Sequence, residues 1–457
     1  MNSDVNEDGK GEVPTTVSVH DAMVIAIEKH QSGGFTEAAH VYRAVLAAMP
    51  DHVDALHFLG VAESQLGHPT LALDLLRQAI ALAPEHADVF NNRGNVLREL
   101  GRLDEAEADY RRCIALRPRD AGALTNLGLV LRARGDFDGA IAMHREAIVH
   151  SPKHTAAWQN LGSALESLER ESEALDAYRE AARLAPESAG DFLKIGFALS
   201  ILGRIEEAAN AYRRCLALDP HHTRARHLLM ACTGVDTPSR APDDYVRSEF
   251  DAFATDFDAK LTRLEYRGPT IVSDAVGELS FDPGLRLSVL DAGCGTGLCG
   301  PLLRPCASIL TGVDLSPEMA ALARARGVYD SVEVEELTTY LRRHIQTCDL
   351  IVSADTLVYF GDLRDVLGAA ARTLRPAGAV VFTLERAEPP EAPRGYRINP
   401  HGRYSHTGDY LLRTLAAAGF IAPSLREVQL RKEADAWVEG WLVSARVPDS
   451  AHHGSTP

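Results

Sequence analysis

VLDAGCGTGLCG, from Val289 to Gly300, is the stretch whose reading decides the fold of the C-terminal half. Leu287, Val289 and Leu290 read as a buried strand that closes on Asp291. Glycines follow at 293, 295 and 297. Without a Cβ at alternate positions, backbone passes close to backbone and the loop can curl beneath a ligand. A helix is expected next, with unpaired N–H groups and a partial positive charge at its start. A second apolar run, Ile309-Leu310-Thr311-Gly312-Val313, ends in Asp314, 23 residues beyond Asp291. An acidic residue at the tip of the second strand of a β-α-β unit is where dinucleotide folds hold a ribose diol.

A nicotinamide-binding loop reads G-x-G-x-x-G, with its third glycine one residue later. The sequence here is D-x-G-x-G-x-G, which resembles motif I of the class I S-adenosylmethionine-dependent methyltransferases. The resemblance implies S-adenosylmethionine as cofactor. It sets Gly293, Gly295 and Gly297 beside the methionine end and Asp291 near the ammonium. It gives Asp314 both ribose hydroxyls, since an ionised carboxylate offers two acceptor oxygens at the diol's spacing. Leu315 and Met319 are expected against the adenine. Family members usually carry an Asp after the third strand for the adenine amino group. Here the segment is VEVEELTTYL, and Glu336 takes that place with Leu337 supplying a backbone N–H. Glu335 is a rival by one register step.

Strands and helices alternate outward from this point. Expected strands are Val332–Glu335, CDLIVSAD (348–355) and GAVVFTLE (378–385), and TGDYLLRTLAAAGF (407–420) is an amphipathic helix. Ser424–Gln429 and Trp437–Val447 read as a closing antiparallel hairpin. Alternation of this kind means a parallel sheet covered on both faces. The fold class is therefore two domains: an all-α repeat superhelix, then an α/β, Rossmann-like class I methyltransferase fold with a C-terminal antiparallel hairpin. Ligands of open parallel sheets sit beyond the strands' C-terminal ends. Asp355 and Tyr359, after the fourth strand, are thus the candidates for catalytic contact with the methyl acceptor. His401 and His406, in NPHGRYSHTGD, are further candidates at its border. In-line displacement at a methyl carbon depends on alignment and exclusion of water. No catalytic triad or metal site is expected.

Ahead of the glycine loop, Phe250, Phe253 and Phe257 recur on one helix face. The string F-D-x-x-A-x-x-F-D resembles the N-terminal element that closes over the cofactor in this family. Residues 244–277 are read as lid helices, with Tyr266 and Arg267 near the pocket, inside a methyltransferase domain of 244–448.

The first half is periodic. Prolines fall at Pro50, Pro84, Pro118, Pro152, Pro186 and Pro220, and alanines at Ala38, Ala72, Ala106, Ala140, Ala174 and Ala208, each 34 residues apart. Small residues (Ala26, Gly60, Gly94, Gly128, Gly162, Gly196) and large ones (Tyr42, Leu76, Tyr110, His144, Tyr178, Tyr212) keep the same step. This pattern resembles the tetratricopeptide repeat, in six copies over 19–222. Each copy is a helix pair that cannot bury its apolar face alone. Asn92, Asn126 and Asn160 share one position on the concave face. Side-chain amides both donate to and accept from a peptide backbone. The row resembles the asparagine ladder of repeats attached to O-linked N-acetylglucosamine transferases. It implies a peptide groove, short because Val24, Phe58 and Lys194 interrupt it.

Residues 1–18 and 449–457 read as disordered, and 223–243, rich in polar and turn-forming residues, as a linker. Net charge is −17, which argues against nucleic acid or anionic membrane as partners. Hydrophobic content of 46% with 24% charged residues is ordinary for a soluble protein. No apolar run is long enough to span a membrane and no signal peptide is apparent. Seven cysteines without metal-ligand spacing fit a reduced, cytoplasmic chain. The expected function is methyl transfer with a protein or peptide recruited by the repeats. Two alternatives stay open: a small-molecule methyltransferase that uses the repeats for assembly, and a repeat scaffold with an inert methyltransferase fold.

Overall fold

The computed structural model describes residues 17–254, 257–279, 281, 284–433 and 436–449. The termini expected to be disordered lie outside the described residues, apart from positions 17, 18 and 449. The chain divides into two compact units, Met1–Pro186 and Glu187–Pro457.

The first unit is built of helix pairs: α1 (Val19–Gln31) with α2 (Phe35–Ala48), α3 (Val53–Gln65) with α4 (Pro69–Leu82), α5 (Ala87–Glu99) with α6 (Leu103–Leu116), α7 (Ala121–Ala133) with α8 (Phe137–His150), and α9 (Thr155–Glu166) with α10 (Glu171–Leu184). Each second helix stops two residues before a repeat proline, because the residue ahead of proline is barred from helical geometry. The small-to-large pairing has a direct cause. A Cβ on Gly94 would lie 2.7 Å from the Tyr110 ring, so glycine is what lets the tyrosine cross. Ala106 and Tyr110 are fully buried at that crossing.

The turn inside each pair needs a left-handed residue, supplied by Gly33, Gly67, Gly101 and Gly135. The fifth pair places Glu169 there, at φ +57°. Left-handed geometry crowds a Cβ against the following carbonyl. Glu169→Gly is therefore expected to stabilise the repeats by about 1 kcal/mol, read as a higher urea midpoint of the helical transition.

Two repeat histidines are enclosed. His57 is 3% and His144 0% exposed, and burial pushes the pKa of each down to about 4. In the unfolded chain both titrate near about 6.5. Between those values the unfolded chain holds more protons than the folded one, so stability falls with falling pH. The stabilisation is complete above pH 6.5 and is lost as pH drops towards 4. Unfolding midpoints at pH 7.5 and 5 are expected to differ accordingly, and His144→Tyr to reduce the difference.

The second unit begins with α11 (Ala189–Ile201), α12 (Ile205–Leu218) and α13 (Thr223–Thr233). The sequence reading of 223–243 as a linker is corrected here. Residues 223–233 are helical, closed by left-handed Gly234. Beyond them, Ala241 N–H donates to the Tyr359 carbonyl at 2.8 Å, and Ser239 O accepts from Gly361 and Asp362. Tyr404 OH donates to Pro238 O at 2.9 Å. A polar, proline-containing stretch reads as loose from composition alone, because its partners lie more than a hundred residues away.

Helices α14 (Asp243–Phe253), α15 (Phe257–Arg263) and α16 (Gly268–Glu278) lead into the sheet. Its parallel core is β1 (Leu287–Ala292), β2 (Ala307–Asp314), β3 (Ser331–Val334), β4 (Cys348–Ser353) and β5 (Leu374–Arg386), in the order β3-β2-β1-β4-β5. Between the strands run α17 (Gly300–Leu303), α18 (Pro317–Ala325), α19 (Leu337–Arg343) and α20 (Arg364–Thr373). A short hairpin, β6 (Tyr396–Ile398) and β7 (Tyr404–His406), precedes α21 (Gly408–Ala417) and the antiparallel pair β8 (Ile421–Glu433) and β9 (Ala436–Arg446). Alternate strand residues pack on opposite faces. Leu290, Ile351 and Val380 meet α19 to α21, while Val289, Leu350 and Val381 meet α16 and α17.

The hairpin β6–β7, which the sequence reading did not foresee, positions the site. β4 pairs with β5 only as far as Ser353↔Phe382. On its other edge β5 is paired by β9 through Glu385↔Gly440. β7, in register Glu385↔Ser405, therefore occupies the side that β4 has vacated. That side lies beyond the C-terminal end of β4.

Candidate active site

β1 delivers Asp291 to the foot of the glycine loop, 1% exposed. Its Oδ2 accepts from the Tyr329 hydroxyl at 2.6 Å, while Oδ1 is buried without a hydrogen-bond partner. Burial pushes its pKa up to about 7, against the Tyr329 hydrogen bond.

The three glycines differ in what surrounds them. A Cβ on Gly293 would collide with Thr356, whose hydroxyl donates to Gly293 O at 3.1 Å. A Cβ on Gly297 would lie 2.9 Å from Tyr329 and 3.2 Å from the Ala323 backbone. Gly293 and Gly297 are thus demanded by packing. Gly295, at φ +54°, faces open space, and the nearest atom to a Cβ there is Phe257 Cε1 at 4.0 Å. The helix expected after the loop is the single turn α17, so the helix-end charge read from the sequence is correspondingly small.

β2 delivers Asp314, whose Oδ2 accepts from Gly295 N at 2.8 Å and Oδ1 from Ser316 N at 2.9 Å. Burial raises its pKa, and those backbone bonds oppose the rise. Each oxygen keeps a second lone pair. Leu315 is half-buried beside it, whereas Met319 is 0% exposed. Met319 lies in the first turn of α18 with its side chain packed inward, so in this structure it presents no surface to an adenine ring. Glu336 caps α19, accepting from Thr338 N at 3.0 Å and Thr339 N at 2.8 Å, and pairs with Arg240. Burial raises its pKa, but those bonds more than offset the rise and hold the carboxylate below its ordinary value. Leu337 opens α19, where backbone N–H groups lack helical acceptors. Glu335, the rival, pairs instead with Arg343.

Helices α14 and α15 lie over this crevice. Phe250 meets Phe257 edge-on at 5.9 Å and Tyr359 at 5.5 Å. Phe253 departs from the expected stripe: it is 40% exposed, with Lys260 Nζ 4.8 Å from its ring. Polar ties hold the cover down. Asp251 accepts from Ser316 Oγ, and Asp258 from Thr296 Oγ1 and Arg326.

Beyond β4, Asp355 sits at φ +54°, a strained position for a residue with a Cβ. It accepts from Thr383 Oγ1 at 2.8 Å and from Arg431 Nη1 at 2.7 Å. Burial raises its pKa against the pull of Arg431. Arg431 also donates to Glu385 and Glu433, and Arg403 donates to the same two carboxylates. Arg403 and Arg431 hold Glu385 ionised despite its burial. His401 lies 3.6 Å from Glu385, its pKa pushed down to about 4 by burial and by Arg403. His406 is fully buried on the other side of the hairpin, donating from Nε2 to Gly361 O, and does not border the pocket. The hydroxyl of Tyr266 is close enough to Asp355 and Asp291 for both charges to act on it.

Asn92 and Asn126 are tied to neighbouring repeats. Asn92 Nδ2 donates to His57 Nε2 at 2.7 Å and Asn126 Nδ2 to Asn91 Oδ1 at 3.0 Å. Asn160 is half-buried at the equivalent place. Sequence reasoning missed Tyr329, Glu385, Arg403, Arg431 and Glu433. Glu385 ends the apolar run 378–385, the one hint among them; Arg431 and Glu433 fall beyond the strand read at Ser424–Gln429, which the structure extends to Glu433. Among the described residues no cluster of His, Cys, Asp and Glu is placed to hold a metal, and no helix is long and apolar enough to cross a membrane.

A methyltransferase-domain family model matches residues 290–382. Tetratricopeptide-repeat models match 25–87, 85–148, 125–189 and 192–222. The chain is 34% identical over 108 residues to a malonyl-[acyl-carrier protein] O-methyltransferase of Acetivibrio thermocellus, covering 23% of this chain and 38% of the relative. It is 28% identical over 157 residues to a ubiquinone biosynthesis O-methyltransferase of Xanthomonas oryzae pv. oryzae, covering 32% and 64%. The match thus spans less than two thirds of either relative. Among solved structures, MamA superposes with a TM-score of 0.33 at 28% identity, over 36% of this chain and 97% of MamA. The pilus biogenesis factor PilW gives 0.44 at 20% identity, over 46% and 98%.

Proposed function

For a chain that belongs to the tetratricopeptide-repeat proteins carrying a methyltransferase domain, we propose S-adenosylmethionine-dependent methyl transfer, with the repeats recruiting a protein or peptide. One pair of observations supports the cofactor reading: space above Gly295 bounded by Phe257 and, at the foot of the same loop, the buried and unpartnered Oδ1 of Asp291. A buried acceptor without a donor is costly, and an ammonium N–H is the group that satisfies it. The residues present fit the cofactor. Asp291 faces its ammonium, and Gly295 lets the loop approach its carboxylate. Asp314 uses its remaining lone pairs on the ribose diol, and Leu315 lies along the adenine. The Leu337 N–H and the outer lone pairs of Glu336 edge the adenine.

Bound, S-adenosylmethionine supplies an electrophilic methyl group on a sulfonium. The chain's part is alignment and dryness: Phe250 and Phe257 close the crevice, and Asp355 and Tyr359 border the acceptor. The repeat groove supports a protein partner because each amide of the asparagine row keeps its carbonyl for a peptide N–H. A cytoplasmic site of action fits the cysteines, which are free among the described residues.

Incubating the chain with methyl-labelled S-adenosylmethionine and lysate is expected to label a discrete acceptor. Replacing Asn92, Asn126 and Asn160 together with alanine is expected to remove label from a protein acceptor while cofactor affinity stays. Label that enters only small molecules, unchanged in the triple variant, favours the assembly role for the repeats.

A further inference from the structure

We propose that the pocket beyond the ends of β4 and β5 binds the methyl acceptor, and that the accepting atom is an amine nitrogen. The inference rests on the cofactor reading above. It begins with placement, since β6–β7 fills the flank that β4 leaves open, so its polar face joins the crevice.

Most of the guanidinium donors of that face are engaged. Arg431 directs all three of its nitrogens at Asp355, Glu385 and Glu433. Arg403 directs Nε at Glu385 and Nη2 at Glu433. Arg431, with all three nitrogens committed, has no free fork with which to grip a carboxylate or phosphate, the groups such forks bind best; on Arg403 only Nη1 stays unpaired among the described residues. Three carboxylates share two guanidinium groups, so carboxylates outnumber their guanidinium partners by one. Glu433 is the carboxylate that reaches the surface, 34% exposed.

A second feature points to a ligand independently. Ser405 Oγ is in a residue only 2% exposed and has no hydrogen-bond partner. Its register with Glu385 puts both side chains on one face of the sheet. An aromatic cluster adjoins the network: Phe250 packs against Tyr359 and Phe257, and Tyr359 is near enough to Glu385, Arg403 and Arg431 for their charges to act on it. Aromatic faces beside carboxylates favour a cation, and they favour an amine that gains positive charge as it reacts. The strained backbone of Asp355 at the centre fits a functional position.

In the reaction the lone pair of the neutral amine forms the N–C bond as the donor's C–S bond breaks. The C–S electron pair stays on sulfur, which becomes a neutral thioether. The nitrogen lone pair is freed when the bound ammonium first gives one proton to water along the carboxylates, and the methylated nitrogen keeps its positive charge as an ammonium.

The test uses the full chain saturated with the demethylated cofactor product in 0.15 M salt. Calorimetry follows binding of acetyl-Gly-Lys-Gly-amide and of spermidine, with catechol and succinate as oxygen acceptors. Methyl-labelled cofactor then reports transfer to each. The expected result is binding of, and label in, a nitrogen probe alone. Preference for the peptide or for the polyamine identifies the source of the amine. Glu433→Gln is expected to weaken that binding about tenfold, with cofactor affinity unchanged. Label in catechol or succinate overturns the proposal. So does a wild-type chain that binds cofactor but neither nitrogen probe, or a Glu433→Gln variant indistinguishable from wild type. Failure of the cofactor itself to bind removes the underlying reading, and the cofactor titration identifies that case separately.

Discussion

Gly295→Leu is expected to abolish cofactor binding while leaving the fold intact. A Cβ there is in ordinary contact with Phe257 alone, at 4.0 Å, so a longer side chain fills the space beneath that ring without displacing backbone. Its left-handed φ of +54° adds strain. That strain amounts to about 1–2 kcal/mol, which a domain of ordinary stability survives. Gly293→Leu and Gly297→Leu are expected to behave differently. A Cβ at 293 collides with Thr356, and one at 297 meets the Tyr329 ring and the Ala323 backbone. Both should lower the thermal midpoint sharply and lose binding as a consequence of lost structure. The contrast between three glycines of one motif is the measurement: circular dichroism melts beside cofactor titration for each. An unfolded Gly295→Leu, or one that binds normally, contradicts the assignment of that open space.

Arg431→Met is expected to be among the most destabilising single changes in the second unit. The guanidinium is 6% exposed and is the common partner of Asp355, Glu385 and Glu433. Its removal leaves three carboxylates around Arg403 alone. Breaking one side of a buried ion pair costs about 3–5 kcal/mol, because the remaining charge is neither solvated nor paired. Arg431→Met combined with Glu385→Gln should regain much of the loss, since the pair disappears together. Urea unfolding of the single and double variants gives the coupling directly. A single variant within about 1 kcal/mol of wild type contradicts the network as described.

The two variants also show where the sequence is legible. Motifs that depend on neighbours in the chain can be read directly: the strand–glycine-loop–strand unit with Asp291 and Asp314, and the repeat spacing that sets Gly94 against Tyr110. Contacts assembled from distant strands cannot. Arg431 and Glu385 lie 46 positions apart and meet through β9, which lies between their strands. Tyr329 reaches Asp291 from the far side of β2. The β6–β7 hairpin is two three-residue strands around left-handed Gly402, too short for any periodic signal. The burial of Met319 was not legible for a related reason. Spacing puts it near the tip of β2, but only packing decides which way a side chain in the first turn of a helix points. The stretch 223–243 was read from composition, and composition carries no information about Tyr359 or Tyr404.

The central claim is a working S-adenosylmethionine site between the tips of β1 and β2. Calorimetric titration of the full chain with S-adenosylmethionine and with its demethylated product, beside Asp314→Ala, tests it most directly. The account predicts saturable binding of both ligands by the wild type. It predicts loss in Asp314→Ala, whose carboxylate accepts from the Gly295 amide and is proposed to take the ribose hydroxyls. A folded wild-type chain that gives no heat with either ligand, or an Asp314→Ala variant that binds as tightly as wild type, contradicts it.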